Sequence, residues 1–221
     1  MSVTTQVFAL AEPAPGVTYE EMLPHLDAEA RHTWQLYAAG TARDVWSRTD
    51  ALGAAVTLNV SDVAEAERVL EGFPLAGAGL VRFDVVLPLG PFTPLGLLFG
   101  GPGGGGKVPP SADPGGGRKV IAWTRPGERT DPDRTASLLA DELKVTWSLW
   151  RAGVIRELYA RTDAPGALAV MEADGVAQAQ SVLATLPLVA EGLLAFEAVE
   201  VGTYQPWEAL FGVEKTKEDT R

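Results

Sequence analysis

Apolar and polar positions along the chain fall into short runs of strand length separated by two kinds of helical pattern. Gln6–Leu10 and Lys119–Trp123 are compact apolar runs bounded by polar residues, read as strands. Ala42–Arg48 and Ile155–Arg161 alternate in side-chain type, as a half-buried strand does. Ala54–Val60 and Ala167–Ala173 follow as third strands, and Leu80–Val86 and Leu193–Val199 as fourth. Thr18 with Glu21 makes a capping box that opens a helix running to about Ala39. Asp131 before Pro132 opens its counterpart. Gly40 and Gly153 stand where these helices turn left-handed and stop. A second helix spans Asp62–Glu71 and Gly175–Ala184. Each half therefore reads βαββαβ, the ferredoxin-like order.

The two halves are copies. Thr33–Ala54 (TWQLYAAGTARDVWSRTDALGA) lies over Thr146–Ala167 (TWSLWRAGVIRELYARTDAPGA) at an offset of 113 without a gap. Carried from Val7–Val86 against Val120–Val199, the same offset gives 28 identities in 80 positions. After a one-residue slip, Leu98-Phe99-Gly100 matches Leu210-Phe211-Gly212. A sheet with helices on one face leaves its other face to be covered, and a second copy can supply the cover. The expected architecture is α+β, with two ferredoxin-like repeats, 1–99 and 118–213, forming one intrachain pseudo-dimeric α/β barrel. Residues 214–221 form a charged tail.

Between the repeats lies Gly100–Gly117, GGPGGGGKVPPSADPGGG. Its G-P-G-G-G-G-K imitates the start of a phosphate-binding loop, but Val108, Pro109 and Pro110 follow Lys107. Neither the Ser/Thr that holds magnesium nor the helix that meets the phosphates can follow there. The run reads as a flexible linker.

Composition narrows the partners. The 221-residue chain is 46% hydrophobic with a formal net charge of −11, which disfavours nucleic acid. It has no cysteine, so disulfides and thiol chemistry are excluded. The N-terminus carries no signal-peptide pattern and no run is long enough to span a membrane, so a cytoplasmic location is expected.

A helix ending in Gly, a strand bearing Arg and an aromatic (GTARDVW, GVIRELY), and a later F-P-L or L-P-L (Phe73–Leu75, Leu186–Leu188) resemble muconolactone isomerase and its relatives in the dimeric α/β barrel superfamily. The likeness covers roughly residues 5–100 and 118–212. It implies a small-molecule substrate, no cofactor, and a monomeric barrel or a homodimer of barrels. It also aligns Glu29 with an acidic residue of that family's first helix.

His25, Glu29 and His32 recur at i, i+4 and i+7 and share one helix stripe. Such a set suits proton transfer or, as a competing reading, a metal or haem. Copy two has Leu138, Glu142 and Val145 there. Arg43 and Arg156 share their strand face with apolar residues, so each meets either an anionic ligand or a partner carboxylate, Glu29 or Glu142. Trp34 and Tyr37 on the helix are core residues or pocket walls, while Trp46 and Tyr159, on the strand face opposite the arginines, face the barrel interior or its rim. Tyr204 and Trp207, matched by Phe92 and Leu95, are placed to cap a pocket mouth.

The expected site is a pocket in copy one, with His25, Glu29 and Arg43 as catalytic groups. His32, Trp34, Tyr37, Trp46, Glu142, Arg156 and Tyr159 are the substrate-binding candidates. The implied activity is that of a cofactor-independent isomerase or cyclase acting on a lactone, aromatic or polyketide-type substrate. The alternatives are a cofactor-free monooxygenase and a non-catalytic ligand-binding or accessory barrel.

Overall fold

The computed structural model describes residues 5–98 and 117–210. Most of the linker, the slip-matched Phe99-Gly100 and Phe211-Gly212, and the 214–221 tail lie outside the described residues. The first repeat runs β1 (Thr5–Pro13), α1 (Tyr19–Met22), α2 (Leu26–Ala38), β2 (Ala42–Arg48), β3 (Ala54–Val60), α3 (Val63–Glu71), α4 (Pro74–Gly77) and β4 (Val81–Pro91). The second runs β5 (Arg118–Pro126), α5 (Pro132–Arg151), β6 (Ile155–Arg161), β7 (Ala167–Ala173), α6 (Val176–Leu183), α7 (Pro187–Ala190) and β8 (Leu194–Thr203). The chain is α+β, and its strands pair antiparallel.

One helix differs from expectation. The Thr18 N–H donates to Glu21 at 2.8 Å, as the capping box requires. The helix nevertheless breaks at a 3-10 turn, Leu23–His25, before α2 begins. Pro24 in that turn has no N–H to donate, and its ring crowds the preceding carbonyls. In copy two Ser137 takes its place, and α5 runs unbroken for 20 residues.

The residues divide into two compact units, Met1–Pro88 with Gly202–Arg221, and Leu89–Val201. In the first, β3 pairs with β1 (Val7↔Leu58) and with β2 (Val45↔Val56). Its core joins Val7, Ala9, Val56 and Leu58 from the strands to Ala66 and Leu70 from α3, with Phe73 beside them. The second unit pairs β7 with β5 (Val120↔Met171) and β6 (Leu158↔Ala169), and β5 with β8 (Ile121↔Val199). Its core uses the matched positions: Val120, Ala122, Ala169, Met171, Ala179, Leu183 and Leu186. Some exchanges offset one another in volume, as where Val56 becomes Ala169 while Ala42 becomes Ile155, whereas Val60 and Phe73 become the smaller Ala173 and Leu186.

Each unit also holds the closing segment of the other repeat. A 3-10 segment at Gln205–Leu210 lies against α2 in the first unit. In the second unit Leu89–Pro91 of β4 pair with β6, and the 3-10 segment Thr93–Leu98 lies against α5. Among the described residues no helix is long and apolar enough to cross a membrane.

Gly40 ends its helix at φ +75°, with open space where a Cβ would stand. A side chain there meets only the backbone penalty of the left-handed region. Gly40→Ala is expected to lower stability by about 1–2 kcal/mol in urea denaturation, without structural change. A neutral effect would show that this turn is not held left-handed.

Candidate functional site

Two buried carboxylates organise the helix-to-sheet layer. Glu29 on α2 is 4% exposed, and its Oε2 accepts the N–H of Leu75 at 2.9 Å. Glu142 on α5 is 8% exposed and accepts the N–H of Leu188 at the same distance. Leu75 and Leu188 occupy the first turns of α4 and α7, directly after a proline. The first N–H groups of a helix have no partner within it, so each glutamate satisfies a donor that the turn leaves open. The P-L pair and the glutamate 46 residues before its leucine thus act together. Burial raises both carboxyls above the usual range, Glu29 to about 6, while the N–H bond partly counters the rise.

What fills the space beside these carboxylates differs between the units. In the first, Trp207 donates its indole N–H to Thr33 Oγ1 at 3.0 Å. Thr33 itself donates to the Glu29 and Ala30 carbonyls and is fully buried. The Trp207 ring packs against Trp34, Tyr37 and Tyr204 at centroid distances of 5.1–5.5 Å. Burial, with the Glu29 charge beside it, pushes the Tyr204 phenol above its ordinary value.

In the second unit the closing segment carries Phe92 and Leu95 instead, and a cavity of about 580 Å³ lies between α5 and the sheet. Its walls are mostly apolar, with Leu139 and Leu143 from α5, Leu158 and Phe196 from the strands, and Phe92 and Pro94 from the closing segment. Glu142 and Thr146 add polar atoms to the helix side. Arg129 and Asp131 stand among the lining residues, but Arg129 pairs with Glu191 and Asp131 caps α5 through the Arg134 N–H.

Of the residues singled out in the sequence, Glu142 and Phe92 line this cavity. His25 is half-buried at the start of α2. His32 packs edge-on against Phe73 at 5.2 Å, its buried Nε2 has no partner among the described residues, and burial lowers its pKa. Trp34 and Tyr37 are 38% and 44% exposed. Trp46 and Tyr159 are half-buried on their strands, and the Tyr159 hydroxyl donates to Glu157.

The two arginines do not pair with the buried glutamates. Arg43 lies 3.7 Å from Asp44, and Arg156 lies 2.6 Å from Glu172. Strand registers shift between Ala42 and Asp44 and between Ile155 and Glu157, a β-bulge at each arginine. A bulge re-aims the side chain it carries, which is why strict alternation misplaces both. The matched Thr four residues after each matched Glu marks Thr33 and Thr146 in the sequence as donors to that carboxylate; the Thr33 hydroxyl donates to backbone carbonyls instead, and the two leucine N–H groups carry no side-chain signal.

No family model and no curated protein matches the chain. Solved structures do. They include a candidate chlorite dismutase (TM-score 0.57, 11% identity, 96% of this chain and all of that one). A haem-binding protein from Thermus thermophilus matches with TM-score 0.53 and 13% identity, over 96% of each chain. A mutant chlorite dismutase from Candidatus Nitrospira defluvii matches with TM-score 0.55 and 11% identity, also over 96% of each. At these identities the likeness establishes the fold, which is that of the chlorite dismutases. It overturns the resemblance to muconolactone isomerase. The isomerase and cyclase activity goes with it, and neither the cofactor-free monooxygenase nor the non-catalytic ligand-binding or accessory barrel is favoured. The Gly, Arg-aromatic and P-L pattern marks turns, bulges and buried caps of a ferredoxin-like unit, features independent of chemistry.

These neighbours raise the question whether the cavity suits haem. Haem iron is held by His, Cys, Met or Tyr. Over 89–201 the sequence offers Met171 and Tyr159 alone. Met171 is fully buried in the core, Tyr159 binds Glu157, and neither lines the cavity. Both histidines belong to the first unit. The cavity does not fit a haem ligated through its iron.

The Glu29 geometry carries a signed pH dependence. A folded pKa raised from 4.5 to about 6 contributes stability that is complete below 4.5 and is lost as pH rises through 6. Glu29→Gln keeps an acceptor for the Leu75 N–H and cannot ionise. Relative to this variant, the wild type is expected to lose roughly 2 kcal/mol between pH 4 and pH 7. Urea denaturation of both proteins at both pH values checks it; parallel changes would contradict the burial argument.

Proposed function

We propose that the chain binds a small, largely apolar molecule in the second-unit cavity, against the α5 face that carries Glu142 and Thr146. The observation that carries this reading is the cavity itself. About 580 Å³ lies within the usual range of ligand sites, and apolar walls with a few convergent polar atoms are what such sites present. The apolar walls are surface that an apolar ligand would remove from water on entering. The solved neighbours lend support of a coarser kind, since one of them is a haem-binding protein. The ligand here is held by shape and by hydrogen bonds rather than through a metal.

Glu142 has one oxygen committed to Leu188, and the carboxyl is fixed in place by that bond. It can therefore orient a ligand from a rigid helix without first being ordered.

The test is a titration with N-phenyl-1-naphthylamine, an uncharged fluorescent probe, alongside hemin. The expected result is saturable enhancement at one probe per chain. In Leu139→Trp, which places an indole in the cavity wall, affinity should fall about tenfold or more with the circular dichroism spectrum unchanged. Hemin should produce no sharpened Soret band of an axially ligated iron. Probe binding that is unaffected by Leu139→Trp, or a ligated hemin spectrum, would contradict the reading.

A further inference from the structure

The duplicated architecture supplies its own template for the ligand. The closing segments align at an offset of 112, so Tyr204 corresponds to Phe92 and Trp207 to Leu95. At the offset of 113, Thr33 corresponds to Thr146 and Glu29 to Glu142. In the first unit the Thr33 hydroxyl receives an indole N–H at 3.0 Å, and the aromatic rings of Trp207 and Tyr204 occupy the space beside it. The second unit keeps the threonine and the glutamate but lacks both polar aromatic side chains. Leu95 has no side-chain N–H and Phe92 has no hydroxyl. Thr146 is 7% exposed, lines the cavity, and has no side-chain hydrogen bond among the described residues.

A hydroxyl that opens onto a cavity without a protein partner can accept a hydrogen bond from a ligand that enters it. We infer that the cavity takes a flat aromatic molecule carrying a ring N–H or a hydroxyl, which donates to Thr146 Oγ1 as Trp207 donates to Thr33 in the first unit. The volume leaves room for more than one ring. The mostly apolar walls favour an uncharged aromatic body, and the Glu142 carboxyl, with one oxygen uncommitted among the described residues, offers a second contact. This deepens the binding function proposed above and rests on it.

The test compares 2-naphthol with naphthalene, which share a shape and differ by one hydroxyl, by calorimetry. The expected result is about tenfold tighter binding of 2-naphthol, the effect of one well-placed hydrogen bond. In Thr146→Val the ratio should fall to near one, and in Thr146→Ser it should persist. Leu95→Trp, which restores the first unit's indole, should abolish binding of both compounds. Equal binding of the two by the wild type leaves the cavity as a binding site and removes the donor. Retention of the tenfold ratio in Thr146→Val overturns the assignment of Thr146, and unchanged binding in Leu95→Trp overturns the template. If neither compound binds the wild type, both this inference and the binding function fall.

Discussion

A carboxylate taken out of water has to find a hydrogen bond, and Glu29 and Glu142 each find theirs 46 residues further along the chain. The acceptor is on a long helix, and the donor is the second residue of a one-turn helix opened by proline. The contact pins the long helix to the segment that leads into the last strand of each repeat. Such a bond is stronger than one between neutral groups, and breaking it strands either a buried carboxylate or a buried N–H. The α2 and α5 faces, and therefore the positions of Thr33 and Thr146 one turn later, follow from it.

With the helix fixed, the character of each unit is decided by what the closing segment inserts. Trp207 and Tyr204 fill one space with aromatic rings and satisfy its threonine. Phe92 and Leu95 leave the other partly open. The same backbone plan thus sets aromatic rings against one helix and a cavity against the other, and the closing-segment exchanges, Trp207 against Leu95 and Tyr204 against Phe92, are among the side-chain differences between the copies. The fold itself accommodates this freely, because the core positions of the two copies are matched elsewhere, from Val7 and Val120 to Leu70 and Leu183.

Much of the fold was legible. Strand and helix order followed from short apolar runs, from Thr18 and Asp131 as caps, and from Gly40 and Gly153 as stops, since each is a local signal. The break at Leu23–His25 was missed, because the capping box drew one continuous helix past Pro24. The site was less legible. Arg43 and Arg156 were placed by alternation, which a bulge defeats, and bulges have no local signature here. His25 and His32 drew attention because imidazole titrates near neutrality, yet they belong to the first unit and do not line the cavity. The cavity depends on volumes contributed by segments far apart in the chain, Phe92 against Thr146 for instance. Such a sum cannot be read from periodicity. Activity was the least legible, because the residues that signalled a family are structural caps and turns.

The most direct measurement locates the bound molecule. In a methyl NMR spectrum of leucine-labelled protein, 2-naphthol should shift Leu139, Leu143 and Leu158 and leave Leu58, Leu70 and Leu75 unmoved. Shifts confined to the first unit, or spread evenly over both, would contradict the account that one half is filled by its own aromatic side chains while the other receives a ligand.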